Sequence, residues 1–450
     1  MEHCDLLITG ATVLTLDSIG ALGDGAVALR GDRIVAVGPS PRVAARFAPA
    51  RRIDAAGRIL LPGLVNTHNH TPLMIVRGMV ENLGFAPAYT PNIPQGHLVS
   101  EEEAYALARL GAYELLRMGS TTVVDYYRHP QACARALAES GLRAMVGGRI
   151  HDVDTAALAN RQWRYDRAIG AASLDENLAL VERWHGAADG RISCMLAPHA
   201  ADTCSRDLLE EVARQAHARH LPVHTHLHQS EAEVAAVQER DGVRPLALFE
   251  ALGLLGPELV AAHCIWMTED EIARAGRAGI RVAHAPIGNA AHGAIAPILA
   301  LRDAGATITL CTDTKSGDMF ETMRAALHVA RIRGAGYAIG APEMLRWATV
   351  NGAAALGMSD AIGSIAVGKK ADLVLLDGRA PNLAPVIDGA GIVVHSATGA
   401  NVDTVVIDGT VVLEGGRPLL FDGDAVIADA QRVASRLWQA SGYAVIRPAA

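Results

Sequence analysis

Eight apolar runs of strand length constrain this chain more than any other feature. They lie at residues 60–66, 121–126, 143–147, 192–197, 221–226, 259–263, 280–285 and 306–312. Segments with helical amphipathicity separate most of them, including Glu101–Met118, Ser205–Arg219 and Thr268–Ala278. Ser100 followed by Glu103 has the spacing of a capping box ahead of the first of these. A strand that is apolar on both faces must be covered on both faces, and a helix between successive parallel strands does this. Eight such units over roughly 250 residues match the size of a (β/α)8 barrel. A doubly wound open sheet is the alternative, and the placement of polar residues favours the barrel.

The chain ends read differently. Leu6-Leu7-Ile8, Ala26–Leu29, the turn Gly31-Asp32 and Ile34–Gly38 are hairpin patterns, and they return in Ala371–Leu376 and Val405–Gly409. The expected organisation is a small β-sandwich from residues 1–60 with 362–425, a barrel over 61–361, and a C-terminal helical tail over 426–450. With 450 residues, 50% of them hydrophobic, the chain can bury a large core. Aromatics supply only 4%, so Ala, Leu, Val and Ile must build it. A net charge of −8 without a long basic cluster argues against a nucleic acid partner. Cys4, Cys133, Cys194, Cys204, Cys264 and Cys311 show no CxxC spacing and read as reduced, buried thiols. The N-terminus MEHCDLLITG is neither a signal peptide nor a membrane span, so a cytoplasmic protein without a membrane partner is expected.

In a barrel, chemistry sits where the strands end, and the ends here are polar. The first run leads into His68-Asn69-His70, whose i, i+2 histidines share one side of a strand. The second ends in Asp125, the fourth at Pro198-His199, the sixth in His263-Cys264, the seventh in His284 and the eighth in Cys311-Thr312-Asp313. Converging on one mouth, His68, His70, His226 and Asp313 would offer three nitrogens and one oxygen, a set that suits zinc or ferrous iron. On the fifth strand His224, His226 and His228 share a face, so spacing alone does not choose the ligand. Met195–His199 contains no lysine to bridge a second metal, which favours a single ion.

These residues resemble the amidohydrolase superfamily, specifically its mononuclear aminohydrolase branch of S-adenosylhomocysteine, guanine, 8-oxoguanine and pterin deaminases and triazine hydrolases. Leu61–His70 is similar to the PGxVNxHxH opening. Gly293–Asp313 resembles the approach to the metal aspartate, with Asp318–Arg324 following, and Ala348–Asp377 resembles the return into the β-domain. The resemblance spans nearly the whole chain. It implies His68, His70, His226 and Asp313 as ligands of one divalent ion, most simply Zn2+ with Fe2+ as alternative. It further implies Asp313 as general base and His263 as the residue that positions the water or polarises the substrate. Homo-oligomers are common among such look-alikes. One departure matters: the pattern His-x-x-Glu reads His226-Leu227-His228-Gln229 here, and glutamine cannot shuttle a proton. Gly288 before Asn289 and Thr314 after Asp313 are lesser departures.

The implied reaction is hydrolytic deamination of an amino-substituted N-heteroaromatic compound (purine, pterin or triazine-like), with metal-activated water attacking the amine-bearing carbon. His228, titratable near neutral pH, is then the candidate replacement acid. Displacement of halide or alkylamine is a second reading, since halide leaves without a proton, and a metal-retaining binding protein is a third. For the small-molecule substrate, Tyr89, Asn92 and Gln95 in the Pro-rich segment 85–96, together with His199, are the candidate contacts. Arg77 and Arg149 read as solvated.

Overall fold

A computed structural model describes residues 1–83, 86–94 and 98–442. Its centre is a ring of eight parallel strands: β1 (Leu64–Asn69), β2 (Ser120–Tyr127), β3 (Arg143–Ile150), β4 (in two pieces, Ile192–Cys194 and Ala197–Pro198), β5 (Val223–Leu227), β6 (Leu259–His263), β7 (Arg281–His284) and β8 (Thr307–Leu310). Strands β1 to β4 form one parallel arc and β5 to β8 another. The arcs meet through single parallel bridges, Leu196 with Val223 and Ala200 with His226 at one seam, Asn69 with Asp313 at the other. Side chains reinforce the second seam. The Asn66 and Asn69 amides both donate to Thr312 Oγ1, at 2.7 and 2.8 Å, and Thr67 Oγ1 lies 2.7 Å from Thr309 Oγ1. This is a distorted (β/α)8 barrel.

Helices begin where the sequence offers caps. Ser100 and Glu103 form a reciprocal capping box on Glu101–Arg117, and Thr268 and Glu271 form another on Glu269–Ala278. Every residue of β2 and β3 is buried, because helices cover one face and the barrel interior the other. The interior beside β6 and β7 is lined by small side chains, Ala262, Ala283, Ala285 and Cys311 with Val260. That economy leaves room for imidazoles.

The strands from the chain ends form one nine-stranded sheet, the form taken here by the expected sandwich. Strand Glu2–Leu14 pairs with Ala21–Arg30, Phe47–Asp54 and Ile59–Pro62, and Ile59–Pro62 pairs antiparallel with Leu373–Leu376. Alternate residues enter different clusters, Leu6 and Ile8 on one side and Leu7 on the other, as a period of two requires. The apolar run 60–66, one strand by its sequence, is two. It divides at Gly63, whose N–H crosses to the Asp372 carbonyl (2.9 Å) before Leu64 turns into the barrel. A Cβ at Gly63 would lie inside the Thr121 side chain, so the crossing admits no larger residue. Helix Gly423–Ala440 follows the sheet and packs against Glu101–Arg117, with Trp438 Nε1 donating to the Ile75 carbonyl at 2.7 Å.

A buried ionic cluster joins the sheet to the barrel. Arg143, the first residue of β3, donates to both Asp372 carboxylate oxygens (2.9 and 3.1 Å) and to Asp408 (2.5 Å), while Lys370 reaches Asp408 and Asp32. All six cysteines are unpaired and buried. No helix among the described residues is long and apolar enough to cross a membrane. Removing one partner of a buried ion pair costs about 3–5 kcal/mol, more than the pair itself contributes. Arg143→Leu is therefore expected to lose about that much stability in urea titration, whereas Arg302→Leu, whose partners are partly solvated, loses under about 1 kcal/mol.

Candidate metal centre and active-site cleft

The barrel's C-terminal mouth collects His68 and His70 from the end of β1, His226 from β5, His263 from β6 and Asp313 just past β8. The donor atoms of His68, His70 and His226 lie within 4.8 Å of one another, and so do those of His68, His263 and Asp313. Asp313 Oδ1 is 3.5 Å from His68 Nε2 and 3.7 Å from His70 Nε2, and Oδ2 is 4.0 Å from His263 Nε2. Asp313 (φ 61°) and His263 (φ 74°) are left-handed, a conformation that costs a non-glycine residue about 1–3 kcal/mol. The Asp313 N–H donates to the His68 carbonyl at 3.1 Å, so the backbone that turns the carboxylate inward is tied to the ligand strand.

A second partner orients each imidazole. His70 Nδ1 donates to the Tyr126 carbonyl and His226 Nδ1 to the His199 carbonyl, both at 2.7 Å. His68 Nδ1 lies 2.6 Å from His224 Nε2. These bonds hold the Nδ1 side of each ring away from the cluster and turn the Nε2 side toward it. His68 Nε2 is buried and makes no hydrogen bond, with Asp313 Oδ1 3.5 Å away. Burial drives His70 down to about 3 and holds His226 and His224 well below the ordinary imidazole value, so they are neutral at physiological pH, as ligands must be. Burial pushes the Asp313 carboxyl up, but His68 at 3.5 Å and the His263 and His70 imidazoles overcome it and keep Asp313 ionised. The His68 Nε2 without a hydrogen bond, the His70 and His226 imidazoles beside it and a carboxylate fit one divalent ion of the zinc type, the Tyr126 hydroxyl lying 3.1 Å from His226 Nε2.

Above this floor lies a cleft lined by Tyr89, Tyr126, Tyr127, Arg149, His199 and Gln229, with Leu73, Val80, Ala88 and Ile265 as its apolar wall. Of the expected substrate contacts, Tyr89 and His199 line it. Asn92 does not: its side chain is exposed and its backbone left-handed (φ 62°). Gln95 lies outside the described residues. Gln229 lines the cleft, and its amide donates to the Tyr89 hydroxyl at 3.2 Å.

His228 does not reach the cleft, which overturns its reading as the replacement acid. β5 ends at Leu227, and His228 is left-handed (φ 53°), so the alternation that puts His224 and His226 inside fails there. Its ring is buried behind the strand, with Nδ1 3.1 Å from the Trp266 carbonyl and Nε2 3.1 Å from the Leu246 amide nitrogen and 3.2 Å from Glu271. Arg149, read as solvated, is buried and lines the cleft, and its Nε and Nη2 have no protein hydrogen-bond partner. Arg77 is exposed as expected. Two residues were not singled out for their present roles: Asn289, whose Oδ1 accepts from His263 Nδ1 at 2.9 Å, and Asp125, which accepts from the Thr71 N–H (2.6 Å) and hydroxyl (2.9 Å) and fixes the turn after His70. Asp125 ends its strand as a polar signal in an apolar run, and Asn289 follows the noted Gly288; their hydrogen bonds have no signature of their own.

Residues 59–412 match the Amidohydrolase family. The chain belongs to that family of metal-dependent hydrolases. It is 34% identical over 442 residues to a 5'-deoxyadenosine deaminase of Methanosarcina acetivorans, covering 96% of this chain and 98% of the relative. It is 35% identical over 432 residues to a 5-methylthioadenosine/S-adenosylhomocysteine deaminase of Moorella thermoacetica, covering 94% and 97%. Its structure is similar to that of an adenosine deaminase from Xanthomonas campestris with bound zinc, at a TM-score of 0.88, 32% identity and coverage of 97% and 99%.

Loss of a hydrogen-bond partner behind a metal ligand typically weakens binding about 10–100-fold. His224→Ala is expected to weaken zinc binding to that extent in competition with a chromophoric chelator; unchanged affinity would show that His224 does not orient His68. A separate pH effect follows from Glu271. Burial raises its carboxyl, but His228, the Thr268 N–H and Arg244 outweigh burial and bring it from 4.5 to about 2. A depressed carboxyl stabilises the fold fully above its unfolded value and loses that stabilisation as pH falls toward its folded value. Glu271→Gln should therefore flatten the loss of stability between pH 4.5 and about 2 in acid denaturation.

Proposed function

We propose that this protein is a hydrolytic deaminase of adenosine analogues altered at the 5' position, acting with one zinc ion. The observation that carries the reading is the convergence of three neutral imidazoles and an ionised carboxylate beneath a largely apolar cleft. The deaminase relatives, aligned over nearly their whole length, support the nucleoside assignment.

His68, His70, His226 and Asp313 would hold the ion. When bound, it supplies Lewis-acid activation of water at neutral pH. Asp313 accepts a proton from the attacking water. His263 donates from Nδ1 to Asn289, so its Nε2 is an acceptor facing Asp313 and holds the water in place. Tyr89, His199 and Gln229 contact the heterocycle, and the apolar wall excludes competing water from the purine face. Arg149 offers donors to the more distant part of the substrate.

Gln229 alone would suit a leaving group that departs without a proton, so the test measures both products. Zinc-loaded protein incubated with 5'-deoxyadenosine, 5-methylthioadenosine or S-adenosylhomocysteine should release ammonia, lose the activity on chelation and regain it with zinc. A chlorinated triazine run in parallel should release no chloride. Chloride release without ammonia from any adenosine analogue would replace deamination with halide displacement.

A further inference from the structure

The two ends of the amide at position 229 are chemically opposite: the nitrogen donates and the oxygen accepts. Which end faces the cleft decides what the cleft can read. We propose that Asp202 and Tyr89 lock the Gln229 amide with its oxygen toward the substrate, so that the cleft binds the ring N–H of the deaminated lactam in preference to the bare ring nitrogen of adenine. The inference rests on the deaminase reading above.

The lock starts at Asp202, in the loop after β4, fully buried and outside the cleft lining. Trp163 Nε1 donates to its Oδ2 at 2.9 Å. Arg240 holds the same loop, donating to the Ala201 and Cys204 carbonyls at 2.9 and 2.8 Å, and so sets a positive charge beside the carboxyl. The Tyr89 hydroxyl donates to this carboxyl, lying 3.1 and 3.0 Å from its two oxygens. Burial raises both Asp202 and its neighbour Glu233, Glu233 the further, so a proton shared between them sits on Glu233 and Asp202 stays an acceptor.

A phenol has one hydrogen and two lone pairs. Asp202 takes the hydrogen, so Tyr89 offers Gln229 a lone pair. Of the two ends of an amide only the NH2 can meet a lone pair, and Gln229 Nε2 does so at 3.2 Å. The Gln229 main chain is pinned as well, its N–H donating to Glu233 Oε2 at 2.7 Å. With Nε2 engaged by Tyr89, Oε1 is the arm left for the cleft that Gln229 lines. It accepts no hydrogen bond among the described residues, although Gln229 is only 4% exposed. A carbonyl so enclosed costs free energy until a donor reaches it.

The donor is on the ring. His226 lies in β5 and Gln229 just past its end, so a ring whose reacting carbon lies over the ion turns a neighbouring edge to Gln229. In a purine deaminated at C6 that edge carries N1 or N7. N7 has a lone pair before and after the reaction and would face the carbonyl lone pair throughout. N1 has a lone pair in adenine and a hydrogen in the lactam. The N1 edge therefore suits Gln229, and suits it better after the reaction than before. A contact that strengthens along the reaction favours the path to product. It also holds the product, so the protein is inhibited by the lactam it makes.

The test is calorimetric titration of zinc-loaded protein with two nucleosides that lack an amine to lose. One is 5'-deoxyinosine, with hydrogen on N1; the other is the 5'-deoxyriboside of 6-methylpurine, with N1 bare. Wild type should bind the first at least about 10-fold more tightly, the effect of one hydrogen bond to an otherwise unpaired carbonyl. The probes also differ at C6, but that difference is common to wild type and variants and drops out of any change in the ratio. Gln229→Met, similar in length and without the acceptor, should lower the ratio about 10-fold. Tyr89→Phe frees the amide to turn over and should lower it at least about 3-fold. Gln229→Glu, which accepts when ionised and donates when protonated, should also lower it. A merely structural role for Tyr89 would weaken both nucleosides alike. An unchanged ratio in Gln229→Met or Tyr89→Phe overturns the proposal. Wild type that shows the preference but releases no ammonia from 5'-deoxyadenosine refutes the deaminase reading and leaves the locked acceptor in place. Ammonia release without the preference refutes the lock alone, and protein that binds neither nucleoside refutes both.

Discussion

An imidazole has two nitrogens and, when neutral, one proton. It can give a lone pair to a metal only if something else takes that proton. The mouth of this barrel is organised around that constraint. The Tyr126 and His199 carbonyls and the His224 ring occupy the Nδ1 atoms of His70, His226 and His68. Two of the three partners lie on strands adjoining the ligand strand, so barrel curvature sets the distances. The third lies across the barrel, where the two arcs face each other. Ligand geometry is therefore inseparable from barrel closure, and the side-chain bonds at the β1–β8 seam serve both.

What the sequence discloses is what obeys a period. Alternating apolar runs and helical segments yield the barrel, and His-x-His with the polar ends of later strands yields the metal centre. Periodicity stops informing where an element stops. His228 was placed with His224 and His226 by a spacing of two, yet the strand ends one residue earlier and a left-handed turn sends the ring behind the sheet. The run at 60–66 looks like one strand because both of its destinations are apolar; only the close approach of Thr121 to Gly63 reveals the division. Arg149 is written off by its charge, since burial of a guanidinium toward a cleft depends on tertiary placement. Asp202 has no signature of its own and acquires meaning only through the Tyr89 hydroxyl.

The departure at Gln229 also changes character in three dimensions. In the sequence it is the loss of a proton carrier. In the fold it is a donor to Tyr89, set beside two buried acids, Asp202 and Glu233. A third carboxyl in that space would add to their mutual repulsion, whereas an amide relieves it. The acid–base equipment of the cleft is better described by where its carboxyls lie than by whether one position retains its family residue.

The sheet shared by the two chain ends gives the molecule a timetable. Strand Ile59–Pro62 leaves the ribosome early, but its antiparallel neighbour Leu373–Leu376 is more than three hundred residues downstream. At translation rates of about 5–20 residues per second, that edge waits for tens of seconds. For most of this interval the adjacent His68–His70 segment has no seam partner either, because Thr312 and Asp313 are also unmade. The metal ligands of β1 are thus made well before the strand-eight carboxylate that completes their set, so a newborn chain can meet its ion only once its final third has begun to emerge.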